Sequence, residues 1–501
     1  METLQLINYR RFKNTGVIHL KPITFLVGAN SSGKSSFLKF FPLLKQSLGV
    51  NRNGTFLWYS TDVDFKDFQN TVHNGEGNIR IKFSFPLQNM KYRLYRRRES
   101  AASKKMTDKD INSKVDLYVE LVISAKEKFD NTNEDFLSYM SIQYLDQNIQ
   151  IQITEDAKAN VVINDRNIDA KFHPSLSNNS ISLLPKIFEE SGLFYTNEIE
   201  TATSFFRKMS IDEDKLIGLR IELESAFYML DKEASFLYLK NLNLKGDETL
   251  LNDMYILLNL NNIIAKVNDY IFDVSSCITY VRPLRVTTER YYRYQNYAVD
   301  EIDSDGKNLA MYLANLTDRQ MIKFTDWTSK LFGFSIRVLK HEGHVELQIQ
   351  EGENEPRNLV DTGFGYTQLL PIVTMIWNAM KSPSRHPFYR GSDKYPKYIV
   401  IEQPELHLHP RLQAKFGAML AKVVDGGEYN NLKFIIETHS EAILNSIGIQ
   451  IENEKLNKEK VNVVLFNAEA EGYDKYIEEA QYNERGFIEH WPTGFLSEDV
   501  Y

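Results

Sequence analysis

Apolar and polar positions alternate over the first stretch of the chain: Leu4 and Leu6, then Val17, Ile18 and Leu20, then Ile23, Phe25 and Val27. That period of two predicts two or three short strands running into a glycine-rich turn. From Ser35 to Gly49 the spacing becomes helical and nearly all apolar, which predicts a buried helix that Pro42 kinks or breaks. Alternation returns from Ile79 to Ile123, interrupted by a polar, basic run from Tyr95 to Asp110 that reads as a loop. Between Pro185 and Tyr270 the apolar residues fall three and four apart and predict a mostly helical insertion. Period two resumes in SIRVLKHEGHVELQIQ, with Gly343 in the turn of a hairpin. A second glycine-rich element precedes the apolar helix LLPIVTMIWNAM; the strand ending in Glu402 follows, then LKFII, which leads into Glu437, Thr438 and His439. The last stretch reads as a small strand-rich tail, and no internal repeat is visible.

The expected division is 1–125 and 321–450 as two parts of one head, 126–320 as a largely helical insertion, and 451–501 as a small C-terminal region. At 501 residues the chain has length for about two to four domains. A composition 43% hydrophobic and 25% charged is that of a globular protein. One cysteine, Cys277, excludes an intramolecular disulfide framework and fits a reducing compartment. The amino terminus has no apolar core of signal-peptide length and no run reaches that of a membrane span, so the expectation is a cytoplasmic protein with no membrane partner. A net charge of -8 argues against an all-over basic surface but leaves room for local basic patches.

Gly28-Ala29-Asn30-Ser31-Ser32-Gly33-Lys34-Ser35 fits the phosphate-loop pattern, with a strand before it and a helix after it. Backbone N–H groups there face phosphates, Lys34 adds a positive charge, and the Ser35 hydroxyl is placed to ligate Mg²⁺. Glu402, at the end of an apolar strand, supplies the matching metal acid. A rival reading takes Glu402, Glu405, His407 and His409 as a transition-metal cluster. In 361–368, Gly363 and Gly365 allow close backbone approach to a ligand, although a plain helix cap explains the loop equally well. His439 stands where a histidine can hydrogen-bond a γ-phosphate, or be structural.

The order of these elements is the layout of ABC-type ATPase heads. The chain resembles the overcoming-lysogenization-defect (OLD) type ATPases of that superfamily, related to RecF and SMC heads, and within them the PtuA-like ATPases of Septu and retron antiphage systems. NYRRF, GANSSGKSS, DFKDFQNTVHNG, YVRPLR, VDTGFGYTQLLPI, IEQPELHLHP, FIIETHSEAIL and GFIEHWPTGF carry the resemblance. It implies an α/β head with a mixed sheet around the phosphate loop, plus a helical arm. It implies ATP and Mg²⁺ as cofactors: Asn30, Ser32, Gly33, Lys34, Ser35 and Ser36 at the nucleotide, Glu402 as the Walker B acid, Gln69 as a metal-sensing glutamine, and His439 as the switch histidine. Arg10 or Arg11 would reach the nucleotide, and Gly363, Gly365 and Gln368 would form a signature that contacts ATP held by a second subunit. A homodimer sandwiching two ATP molecules follows, with larger assemblies left open.

In such heads a catalytic glutamate stands where this chain has Gln403. Loss of a general base costs about 10² to 10⁴ in rate. Either Glu405 substitutes for it, or the ATP state persists; the second is the preferred reading. The residues after His439 contain no Asp-x-Asp pair of a Toprim nuclease, so the resemblance implies a separate effector, an HNH endonuclease. Trp491, Pro492 and Phe495 are a candidate docking patch, with core packing as the alternative. Lys91 to Arg98, with Tyr92 and Tyr95, and Arg290 to Tyr294 are candidate basic patches for DNA or a retron's msDNA, or solvated loops. Two function classes remain: a nucleotide-switched regulatory subunit controlling a nuclease, and a RecF- or SMC-like repair ATPase that clamps DNA.

Overall fold

The computed structural model describes residues 1–52, 54–86, 116–127, 133–144, 147–168, 172–175, 182–189, 248–285, 289–294, 299, 301–381, 396–426, 431–466 and 477–489. They fall into two compact units, one of Met1–Gly49, Leu57–Glu76 and Asp273–Tyr501, the other of Val50–Phe56 and Gly77–Phe272.

The first unit opens on β1 (Thr3–Tyr9), with β2 (Phe12–Asn14) and β3 (Ile18–His19) paired antiparallel to it. β4 (Ile23–Gly28) is buried at every residue, as an apolar strand inside a covered sheet must be. The helix expected over 35–49 is two helices, Lys34–Leu38 and Phe40–Leu48, broken at Lys39. Pro42 explains the break, since it has no N–H to return to the Leu38 carbonyl, and the ladder resumes with Leu43 bonding Lys39.

The second unit is an antiparallel sheet: β5 (Ile79–Pro86), β6 (Asp116–Glu127), β7 (Asn133–Tyr144), β8 (Gln147–Ile153), β9 (Ala159–Ile163), β10 (Arg166–Asn167), β11 (Phe172–Ser175) and β12 (Lys186–Glu189). Its order is β12-β11-β9-β8-β7-β6-β5, with β10 on β9. Ile149, Ile151 and Ile153 show the cause, an apolar face at every second residue. The helix Glu248–Ser276 belongs to the helical stretch read from Pro185 to Tyr270; residues 190–247 of that stretch lie outside the described residues, and Lys186–Glu189 at its start is not helix but strand β12. Described residues of the expected helical insertion upstream of that helix are mainly strand, because β7 and β8 alternate with period two. Asn261 and Asn268 fasten the helix by bonding backbone groups of Ile187 and of Leu183 and Leu184 at 2.8–3.1 Å.

The first unit then resumes with β13 (Ile278–Val281) and β14 (Tyr292–Arg293), and with helices Leu309–Ala314 and Asp318–Phe332. β15 (Phe334–His341) and β16 (His344–Glu351) form the expected hairpin, with Gly343 at φ 83° in its turn, and β17 (Arg357–Asn358) pairs with β16. Helix Phe364–Lys381, β18 (Lys397–Glu402), helix Pro410–Asp425, β19 (Leu432–Glu437), helix Glu441–Glu452, β20 (Val461–Phe466) and β21 (Ile477–Ala480) follow. The central sheet runs β13-β18-β19-β4-β20-β21, all parallel except β21. β18, β19 and β4 therefore deliver their carboxyl ends side by side, where ligands bind in open α/β sheets. Among the described residues no helix is long and apolar enough to cross a membrane.

Candidate nucleotide site

The phosphate loop is held by shape. A Cβ on Gly28 would sit 2.3 Å from the Phe466 carbonyl oxygen, and one on Gly33 would sit 2.6 Å from the Phe12 ring. Gly33 also has φ 103°, a conformation that favours glycine. Phe12, from the NYRRF segment, is wedged under the loop and packs against Phe466 at 5.9 Å, which in turn meets Phe37 at 6.1 Å. Lys34 Nζ donates to the carbonyls of Gly28 and Ala29 at 2.9 and 2.7 Å. Burial lowers the Lys34 pKa, while the nearby Glu437 and Glu405 charges pull it up.

Glu402 and Glu437 are register partners at the ends of adjacent parallel strands. Tyr280 Oη donates to Glu402 Oε1 at 2.6 Å, and Ser35 Oγ donates to Glu437 Oε1 at 2.9 Å. Burial pushes the Glu437 carboxyl up to about 7, with the Glu402 charge adding and the Ser35 hydrogen bond opposing. Burial likewise raises Glu402, against Lys39 and the Tyr280 hydrogen bond. Glu405 is fully engaged: Thr438 Oγ1 donates to one oxygen at 2.8 Å and the His439 amide to the other at 2.7 Å. Buried Arg285 donates to the Glu402 carbonyl at 3.3 Å, and burial brings its pKa down to about 10 despite Glu405. Gln403 turns the chain in the left-handed region, φ 43°, and its backbone N–H donates to the Glu437 carbonyl at 2.9 Å.

Five buried polar atoms here, Ser32 Oγ, Arg285 Nε and Nη1, Glu437 Oε2 and His439 Nε2, have no partner among the described residues. The His439 pKa is lowered by burial and then by Lys34, which places the ring near that cation. A hydroxyl and two carboxylates are hard oxygen donors of the kind magnesium takes, and Lys34 and the loop suit phosphates. The residues present thus fit a magnesium nucleotide.

The sequence pattern of the AAA ATPase domain matches residues 1–444. The chain belongs to the AAA ATPase domain family. The α/β fold expected from the motifs, with a mixed sheet around the Gly28–Ser35 loop, is the fold of this ATPase domain. Loosely similar solved structures include an Smc head domain with an extended coiled coil bound to the C-terminal domain of ScpA, from Pyrococcus furiosus. It is 12% identical, with 96% of each chain covered and a TM-score of 0.33. An SMC head domain from Thermotoga maritima is 10% identical, with 96% and 98% covered and a TM-score of 0.34. Neither figure bears on activity. No curated protein matches the chain.

Other expected site residues of the ATPase lie apart from this cluster or on its rim. Asn30 is exposed on the loop and Ser36 half-buried in the helix after it. Arg10 donates to the Asn70 carbonyl at 2.8 Å with its guanidinium 4.7 Å from the Phe65 ring centroid, and Arg11 is exposed. The Gln69 amide hydrogen-bonds the Gly75 carbonyl in its own turn, so the structure does not bring it to Ser35 or Glu402. Gly363 is open, whereas Gly365 faces Leu412 and the His407 carbonyl, and Gln368 is turned inward at 4% exposure. The rival metal cluster is not formed. His409 caps helix Pro410–Asp425 by accepting from the Arg411 amide at 3.2 Å, Glu405 is spent on Thr438 and His439, and among the described residues no three His, Cys, Asp or Glu side chains gather as a metal site.

Of the basic patches, Lys91 to Arg98 lie outside the described residues, as do Trp491, Pro492 and Phe495. In the second patch Arg290 pairs with Asp361 at 2.6 Å and Tyr292–Arg293 is strand β14. Tyr280, Arg285, Glu437 and Thr438 were missed as site residues. YVRPLR and FIIETHSEAIL carry the resemblance; Tyr280 and Arg285 are the two ends of the first, and Glu437 and Thr438 lie inside the second, just before His439.

Proposed function

We propose that this chain is an ATP-binding, slowly hydrolysing ABC-type ATPase that serves as a nucleotide-switched regulatory subunit. The observation that carries the reading is the position after Glu402, where Gln403 offers an amide that can orient water but not take its proton. Glu405 does not fill that role, because both its oxygens accept hydrogen bonds that hold the His439 turn. In this reading Lys34 and the loop from Asn30 and Ser32 to Ser36 hold the phosphates, Ser35 and Glu402 hold magnesium, and His439 senses the γ-phosphate. Bound Mg²⁺ would offset the charge of the phosphate oxygens. Arg10 or Arg11 would line the nucleotide's other side, and Gln69 would reach the metal after a change in its turn.

The second subunit is a second copy, whose Gly363, Gly365 and Gln368 loop would cover the nucleotide, forming a homodimer that larger assemblies build on. Phe364, 68% exposed at the start of its helix, supports that loop as a contact surface. The resemblance to PtuA-like OLD ATPases supports a cytoplasmic antiphage role in which the dimer restrains a separate HNH nuclease. Such a protein should hydrolyse ATP slowly, gain little from duplex DNA, and co-purify with an HNH partner expressed from a neighbouring gene. Gln403→Glu should raise turnover toward the roughly 10² to 10⁴ that a base contributes. Strong stimulation of the wild type by duplex DNA without a partner would instead favour a RecF- or SMC-like DNA clamp, and unchanged turnover in Gln403→Glu would remove the amide as the limiting feature.

A further inference from the structure

We propose that Glu437 is a second carboxylate of the magnesium site, acting beside Ser35 and Glu402. This rests on the reading of the site as one for a metal nucleotide. Sequence points to Glu402 as the metal acid, but β19 lies between β18 and β4, which sets Glu437 one strand nearer the phosphate loop. Its Oε1 accepts from the Ser35 hydroxyl at 2.9 Å, the hydroxyl that phosphate loops turn on the metal, while Glu402 Oε1 accepts from Tyr280 at 2.6 Å. Glu437 is 3% exposed, yet its Oε2 has no partner among the described residues. Ser32, 9% exposed in the same loop, also has an unpartnered Oγ. Buried polar oxygens without donors are costly and uncommon, and a bound ion is one of the partners that satisfies them. A carboxylate already bonded to one magnesium donor and adjacent in register to another is placed to share that ion. The competing account is that Glu437 only fastens Ser35 and so steadies the helix after the loop.

Calorimetric titration of a non-hydrolysable ATP analogue, in Mg²⁺ and in EDTA, separates the two. Glu437→Gln keeps the side-chain volume and an acceptor for Ser35. The gain in affinity that Mg²⁺ gives should fall on the order of 10- to 100-fold in this variant, as expected on removing a metal-supporting group. Affinity in EDTA should be unchanged or higher, because a negative charge beside the phosphates is gone. A Mg²⁺ gain equal to that of the wild type overturns the proposal and leaves Glu437 as a fastener, whatever happens to the melting temperature. If Glu437→Gln shows no cooperative melting, Glu437→Asp is read by the same criterion, since it keeps the charge but withdraws it from Ser35. A wild type that binds no nucleotide in either condition sinks this proposal together with the reading under it; a wild type that binds, with an unchanged gain in the variant, sinks this one alone.

Discussion

Glu405→Gln tells a structural acid from a catalytic one at the only carboxylate close in sequence to Gln403 on its C-terminal side. The wild-type carboxylate accepts from Thr438 Oγ1 at 2.8 Å and from the His439 amide at 2.7 Å. A hydrogen bond to a charged group contributes about 1.5 to 3 kcal/mol. An amide oxygen can keep the bond to His439, and its NH₂ can then face the Thr438 oxygen, so about one charged bond is weakened rather than two lost. Against that loss, burial is the dominant influence on this group and holds its carboxyl above the ordinary range, so the neutral amide escapes a desolvation cost. The net expectation is a destabilisation of about 1 kcal/mol near neutral pH. The sign with pH follows from the raised pKa. Folded Glu405 binds its proton more tightly than the unfolded chain does, so its contribution is full below the ordinary carboxylate range and is lost as pH rises through the folded value. The advantage of the wild type over Glu405→Gln should therefore shrink as pH is raised. Glu405→Ala is different: it strands Thr438, the His439 amide and the buried Arg285 charge, and should cost about 3 to 5 kcal/mol. Denaturant unfolding at several pH values, run beside steady-state ATP hydrolysis, checks both. Turnover of Glu405→Gln should stay within about tenfold of the wild type; a loss of about 10² to 10⁴ with stability and ATP affinity intact would show that Glu405 takes the water's proton and would refute the slow-switch reading.

Gly33→Ala places a Cβ 2.6 Å from the Phe12 ring at φ 103°, so the loop should lose its ATP affinity and the protein about 1 to 2 kcal/mol from the left-handed backbone alone. Equilibrium nucleotide titration with undiminished affinity would show that Phe12 does not fix the loop. Tyr280→Phe removes the donor 2.6 Å from Glu402 Oε1 and should lower unfolding stability in EDTA by about 1.5 to 3 kcal/mol; denaturant curves that superimpose on those of the wild type would mean the Glu402 carboxylate finds an equal partner elsewhere.

The phosphate loop and the acid strand were legible because their chemistry is local: Gly28 to Ser35 is one run of chain, and an apolar strand ending in Glu402 declares its own burial. The hairpin at Gly343 and the break near Pro42 were legible for the same reason, being set by single residues. Tyr280, Arg285 and Glu437 were not, because each becomes a site residue only through a partner far along the chain: Tyr280 bonds a residue 122 positions away, and Ser35 bonds one 402 away. A glutamate at a strand end has no local mark separating a surface acid from one inserted between the phosphate loop and Glu402; strand order decides that. His409 misled for the converse reason. Its spacing from His407 suggests a pair of ligands on one face, but the residue before Pro410 is also where a helix needs a cap, and the cap won.

Strand order also bears on why an amide at 403 suits a switch. Glu402, Glu405 and Glu437 already stand close enough that the charges of the first and second both raise the pKa of the third. A fourth carboxylate would add like charge where burial already disfavours ionisation, whereas Gln403 supplies hydrogen-bonding capacity without it. A switch needs a ligand that prefers one state, not rapid chemistry. A ligand at 100 times its dissociation constant stabilises the state it binds by about 2.7 kcal/mol. Moving an equilibrium from 1:99 to 99:1 takes about 5.5 kcal/mol. Two nucleotide sites closed across a dimer reach about that amount at such saturation, provided the open state does not bind. In the proposed reading hydrolysis serves only to reset the dimer, and Gln403 in place of a base would sacrifice the one function that such a switch uses least.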